Sequence, residues 1–168
     1  MKKLGTMALA IAGLTLGSYA FAQSNSASTS ANSTARVVTP ISIAKTADMN
    51  FGDVVAGGSA GTVALTPAGV RSATGGATLG NAGGVAAAAF TVSGQGSATY
   101  AITLPASTTV TSGGNSMTVD TFASNPSGTG ALSAGGSQAL TCGATLNVGA
   151  SQASGTYTGT FNVTVTYN

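Results

Sequence analysis

The sequence predicts an all-β sandwich of seven to nine short strands, and three observations carry that prediction. Gly, Ser, Thr and Ala dominate the chain, with 25 Gly, no Trp and only 5% charged residues. Thr and Val are stiff at χ1 and suit a pleated surface, whereas Gly at this density opposes long helices. Short β-prone runs alternate with glycine pairs at Gly57-Gly58, Gly75-Gly76, Gly83-Gly84, Gly113-Gly114 and Gly135-Gly136. Such pairs reach positive φ without a Cβ penalty, so they mark turns. Finally, residues 156–167 alternate without a break between large apolar and polar side chains, the period of a half-buried strand.

The chain opens on cationic Met1-Lys2-Lys3, continues with an apolar run from Leu4 to Leu16, and reaches Ala20-Phe21-Ala22 before Gln23. This order of charge, apolar run and small-residue site is that of a secretory signal peptide, expected to span residues 1–22. The apolar run is short of the roughly 20 residues of a membrane-spanning helix, and nothing later supplies one. The expected route is export to the periplasm and onward to the cell surface. Residues 23–34 are nearly all Ser, Asn, Ala and Thr, a flexible polar leader. Residues 35–168 then suit a single domain. Beyond the signal peptide, Arg36, Lys45 and Arg71 balance Asp48, Asp53 and Asp120. A net charge near zero gives no electrostatic case for binding nucleic acid. Cys142 is the only cysteine. It has no internal partner and no cationic neighbour to activate it, so a small buried apolar role is expected.

The strands are expected in order. Val37, Thr39, Ile41, Ile43 and Lys45 share one side of an extended segment, with Pro40 on the other side. Proline in a strand points to an edge or a change of pairing. Met49–Val55 reads as a short strand with a glycine irregularity. Further strands are expected near 62–66, 86–93, 98–104, 116–122, 138–148 and 155–167. Phe90-Thr91-Val92 and Tyr100–Leu104 each alternate across Gly94-Gln95-Gly96-Ser97, which predicts a hairpin.

The carboxy-terminal segment is the most informative. Tyr157, Gly159, Phe161, Val163, Val165 and Tyr167 take one face, and Thr or Asn fill the other. A slip of one residue would expose every aromatic, so the register is fixed. An unbroken strand here would run roughly 40 Å, and its apolar face would bury on the order of 10 kcal/mol of side-chain transfer energy. Tyr167 is penultimate and Gly155 is the fourteenth residue from the end. In these two positions, in its leader and in its neutral composition, the chain resembles the subunits of chaperone–usher fimbriae. It also resembles the spore coat U-like and uncharacterised secreted pilin-like β-domains of bacteria, most closely over Ile41–Gly52.

The resemblance implies an immunoglobulin-like (pilin-like) sandwich that lacks one strand and polymerises by donor-strand exchange into a surface fimbria serving adhesion or biofilm formation. The partners it implies are neighbouring subunits, a periplasmic chaperone and an outer-membrane usher. Gly155, Tyr157, Phe161, Val163, Val165 and Tyr167 would form the assembly strand. A donor segment would include Val37, Thr39, Ile41 and Ile43, although residues 35–45 also suit the domain's own first strand. From a different class, the alternative is a monomeric secreted binding module, for carbohydrate or another cell-surface ligand.

Catalytic chemistry is poorly supplied. The chain has no His and no Glu. Ser-His-Asp and Cys-His catalysis and zinc sites are excluded on residue types alone. Asp48–Asp53 faintly resembles a calcium loop without its later acidic ligand. The chain is therefore expected to be no enzyme and to need no cofactor.

Overall fold

Alternating Thr/Val runs and glycine turns give ten strands and, among the described residues, no helix. The structure is a computed structural model that describes residues 25–168; the expected signal peptide and the first two leader residues lie outside this range. Residues 25–36 are exposed and carry no assigned secondary structure. The folded unit is Val37–Asn168. Its strands are β1 (Ser42–Ala47), β2 (Val54–Leu65), β3 (Arg71–Leu79), β4 (Ala88–Ser93), β5 (Thr99–Thr103), β6 (Ser107–Ser112), β7 (Asn115–Asn125), β8 (Thr129–Ala131), β9 (Ser137–Val148) and β10 (Thr164–Tyr167).

These strands form two antiparallel sheets, one of seven strands and one of three in the order β10-β5-β8. β9 is the spine of the larger sheet. Its residue Thr141 pairs with Ala89 of β4 and Asn125 of β7, and its Asn147 pairs with Thr62 of β2 and Thr118 of β7. One edge of β9 therefore carries β7, with β6 beyond it. The other edge carries β4 and then β2 end to end, with β1 and β3 outside them. Gly143 marks the join, where a Cβ would strike the Leu65 carbonyl and the Thr66–Pro67 backbone.

Three strands were not expected, and each has a local cause. Thr66-Pro67-Ala68-Gly69 is a tight turn with Gly69 at φ +80°, and it folds β3 back on β2. Val54–Leu65 is consequently one strand rather than two, because Gly57-Gly58 and Gly75-Gly76 are not turns. They face each other within the hairpin, and a Cβ on Gly76 would strike the Ser59 carbonyl. Gly113 and Gly114, both at positive φ, close the tight β6–β7 hairpin. β6 escaped notice because Ser107–Ser112 holds one large apolar residue. β8 is only three residues long.

The predicted hairpin between Phe90–Val92 and Tyr100–Leu104 does not form. β4 pairs with β1 and β9, whereas β5 pairs with β10 and β8. The glycines at 94–97 carry the chain from one sheet to the other.

Two clusters make up the core. One gathers Ala88, Val92, Tyr100, Leu132, Leu140 and Cys142 between the two sheets. The other gathers Val63, Ala77, Val119, Ala144, Leu146 and Val148 on the larger sheet. Tyr100 is completely buried; its hydroxyl donates to Gln138 Oε1 (2.7 Å), which also accepts from the Ala131 amide. Burial pushes the Tyr100 hydroxyl above its ordinary pKa, and pushes the Cys142 thiol from 9.0 up to about 11. Both groups are acids held neutral by the fold. For Cys142 the folded pKa lies above the unfolded value, so its contribution to stability is complete below about pH 9. It is lost as the pH rises through about 11. The native protein is expected to leave Cys142 unlabelled by a thiol reagent at pH 8 and to expose it fully in denaturant. Cys142→Ala, at a cost of about 1 kcal/mol, should flatten part of the alkaline fall. Rapid labelling of the native protein would contradict this.

Candidate functional site

The carboxy-terminal segment keeps its predicted alternation but not its predicted pairing. Tyr157, Phe161, Val163, Val165 and Tyr167 are half-buried, while the residues between them are exposed. Only Thr164–Tyr167 forms a hydrogen-bonded ladder, against Tyr100–Thr103 of β5. Before it, Thr158 makes an isolated bridge to Thr111 of β6, and Thr160 accepts a bond from the Thr108 hydroxyl (2.7 Å). The segment thus leaves the larger sheet at β6 and joins the smaller one as β10. Gly159 permits the close passage, since a Cβ there would meet the Thr109 carbonyl. The expected continuous strand of 155–167 is corrected accordingly: crossing between sheets breaks the ladder, although side chains still alternate.

Tyr167 fixes the end of this segment. Its hydroxyl accepts from the Gln95 amide (2.6 Å) and donates to the Thr39 carbonyl (2.7 Å). Gly94 lies against the same hydroxyl, where any Cβ would collide. Of the expected donor residues, Ile41 and Ile43 therefore belong to the domain itself: Ile43 pairs with Val92, and both pack on the Tyr100 cluster. Thr39 is tied to Tyr167. Val37, by contrast, is 95% exposed.

Between the crossing segment and β1 the sandwich is open. The three-stranded sheet packs on the Tyr100 cluster, whereas Met49, Phe51, Val110, Met117 and Phe122 pack on the buried Val63 cluster, and a cleft of about 950 Å³ lies beside them. Its floor includes Val110, Met117, Val119, Leu146 and Val148, drawn from β6, β7 and β9. One rim is residues 45–56, with Met49 and Phe51; the other is residues 152–161, including Gly155, Tyr157 and Phe161. Phe161 stacks on Phe122 with ring centroids 5.0 Å apart. Tyr157 closes the far turn, its hydroxyl donating to the Ala153 carbonyl and accepting from Gln152 Nε2 (both 2.8 Å).

The backbone around the cleft is unpaired in one direction. β10 is the end strand of its sheet, with β5 on one side only, and β1 is likewise an end strand. Between Gly159 and Val163 no backbone–backbone hydrogen bond forms. Sheet edges of this kind are templates for another strand.

The titratable side chains lining the cleft are Lys45, Asp48, Asp53 and Tyr157. Among the described residues no three His, Cys, Asp or Glu side chains approach one another as a metal site would need. Asp48 is engaged by Lys45 (2.5 Å) in an exposed ion pair, and so adds little stability. No helix of the described residues is long and apolar enough to cross a membrane.

Among known proteins, a family model described as a domain of unknown function (DUF4402) matches residues 41–167. The chain belongs to the DUF4402 family. The match opens at the residue before β1 and closes at Tyr167, so the DUF4402 domain contains both flanks of the cleft and excludes the leader. No curated protein and no solved structure matches the chain.

Sequence inspection missed the floor of the cleft. Val119, Leu146 and Val148 stood in strands that were expected and are buried as core residues, so nothing in their own segments marks them as lining a cleft. Val110 lay in a Thr-rich strand that was not recognised.

Proposed function

We propose that this protein is a structural subunit of a bacterial surface fibre, assembled when the cleft of one copy takes up an extended strand from its neighbour. The observation that carries this reading is the open cleft. Core-type side chains form its floor and unpaired strand edges run along its sides. An added strand would satisfy the edges with main-chain hydrogen bonds and fill the floor with alternate side chains. The order of the flanks, β1 on one side and the segment leading into β10 on the other, suits an immunoglobulin-like sandwich that lacks one strand. Contacts made head to tail without closure produce a fibre.

The occupant is the leader of the next copy. Ala27, Ala31, Ala35 and Val37 fall on odd positions together with Thr29 and Ser33, and Ser28, Ser30, Asn32, Thr34 and Arg36 fall on even ones. In an extended strand the odd face is the more apolar of the two. Export by the signal peptide delivers the chain to the periplasm, where a chaperone would cover the cleft until an outer-membrane usher passes it to the surface. Adhesion or biofilm formation is the expected benefit. The reading as a carbohydrate-binding module is less well supported, because among the described residues none of the exposed large apolar residues is aromatic.

Surface material from producing cells is expected to run as a ladder of multimers on unboiled denaturing gels. Deletion of residues 25–36 should collapse the ladder to monomer. A single monomer band from the intact chain would refute strand exchange.

A further inference from the structure

We infer that Arg71 is the positioning residue of the cleft: its guanidinium takes the place of a bound cation in the loop Asn50–Asp53 and so holds Met49 and Phe51 at the rim. The inference rests on the strand-binding reading of the cleft and names the residue that sets its shape.

Arg71 opens β3, outside the lining of the cleft. Its Nη1 donates to the carbonyls of Phe51 (2.6 Å) and Asp53 (2.8 Å), and its Nη2 donates to the carbonyl of Gly80. Three carbonyl oxygens from two separate loops thus converge on one planar cation. Bringing their negative ends together without a positive charge between them would be repulsive. Among the described residues the ion pair found is Lys45–Asp48, so the direct partners of the Arg71 guanidinium are carbonyl oxygens.

The loop is shaped around this group. Gly52 is at φ +67°, and a Cβ there would lie 2.8 Å from Arg71 Nη1 and 2.9 Å from Val85 Cγ2. The Gly52 amide donates to Asn50 Oδ1 (2.8 Å), which tightens the bend. On either side, Asn50 bridges to Ala86, the Asp53 amide donates to the Ala82 carbonyl, and the Gly80 amide donates to the Asp53 carbonyl. Arg71 joins this loop to the end of β3. The stretch Asp48–Asp53 therefore does meet a cation, but through the Phe51 and Asp53 carbonyls and from a side chain of the same domain, while the Asp48 carboxylate pairs with Lys45. Lysine, with a compact ammonium on a shorter stem, cannot present the same planar fork to both loops.

The test uses the full mature chain as wild type, Arg71→Ala and Arg71→Lys. Amide hydrogen exchange at Asn50 and Asp53 should rise by roughly tenfold or more in Arg71→Ala, less in Arg71→Lys, with Val63 and Leu146 unchanged. Dilute guanidinium, far below denaturing concentration, should restore protection in Arg71→Ala, which a general loss of packing would not allow. Binding of a synthetic Ala27–Val37 peptide should weaken by a similar factor. Unchanged exchange at Asn50 and Asp53, or a rise shared equally by Val63, overturns the inference. So does equal peptide binding by wild type and Arg71→Ala, and the cleft reading would then stand. Failure of the wild type to bind the peptide sinks the strand reading alone, because exchange still decides the clamp.

Discussion

Replacing Tyr167 with alanine is expected to destabilise the domain by about 3 kcal/mol and to remove the protein from the cell surface. The side chain is half-buried against the cluster that holds Tyr100 and Leu140, so its loss opens a void at the edge of that core. Its hydroxyl also joins two chain segments far apart in sequence, Gln95 and Thr39. Without it the Gln95 amide and the Thr39 carbonyl each lose a partner. Folded domains carry only about 5–15 kcal/mol of stability, so this one substitution takes a large share. Tyr167→Phe separates the two contributions: it keeps the ring and should cost about 1–2 kcal/mol. Urea titration of both variants measures the difference. A Tyr167→Ala protein as stable as wild type would show that the carboxy-terminal segment is not a structural flank of the cleft.

The sandwich was legible because side-chain period is a local property. Alternation at 138–148 and 157–167 survives in the burial of those residues, even where hydrogen bonding does not follow it, whereas at 90–92 the residues are buried or half-buried throughout. Pairing was less legible, since it depends on where glycine lets the backbone go. Gly57-Gly58 and Gly113-Gly114 look alike in sequence, yet the first lies inside a hairpin and the second turns one. β7 shows the same limit. A bulge at Thr121, φ +50°, inserts a residue opposite β9, so Val119 and Phe122 both face inward at odd and even positions. No period of two could reveal that.

The cleft is harder still to foresee, because it is a difference between two sheets rather than a motif. Five strands contribute to the larger sheet over the Val63 cluster, and the smaller sheet ends at β10 before reaching it. The resemblance to fimbrial subunits supplied the expectation of a groove lined from Gly155 to Tyr167; of the residues it named, Gly155, Tyr157 and Phe161 line the cleft, and Val163, Val165 and Tyr167 do not. It also named Val37, Thr39, Ile41 and Ile43 as a possible donor. Ile41 and Ile43 have the better apolar content, but the pairing of Ile43 with Val92 and the tie at Thr39 commit them to the domain that carries them.

The floor of the cleft separates strand uptake from folding, and Val110→Glu tests that separation. Val110 is half-buried on β6 and faces the opening, next to Gly159 on the rim. While the cleft is empty, a carboxylate at 110 stays in contact with water, and the domain should fold with a loss of about 1–2 kcal/mol. Uptake of a strand would strip that water from the carboxylate, while Lys45 on the rim is already paired with Asp48. Desolvation of this kind costs several kcal/mol. Binding of an Ala27–Val37 peptide should accordingly fall by more than about 100-fold, and multimer ladders should vanish from the surface while monomer is still exported. The sign of the pH response is fixed by the same cause. Protonation below about pH 4 removes the charge, so peptide binding by Val110→Glu should recover in acid, and Val110→Leu should bind throughout. Retained binding by Val110→Glu at neutral pH would mean that the strand, if one is taken up, does not lie over β6.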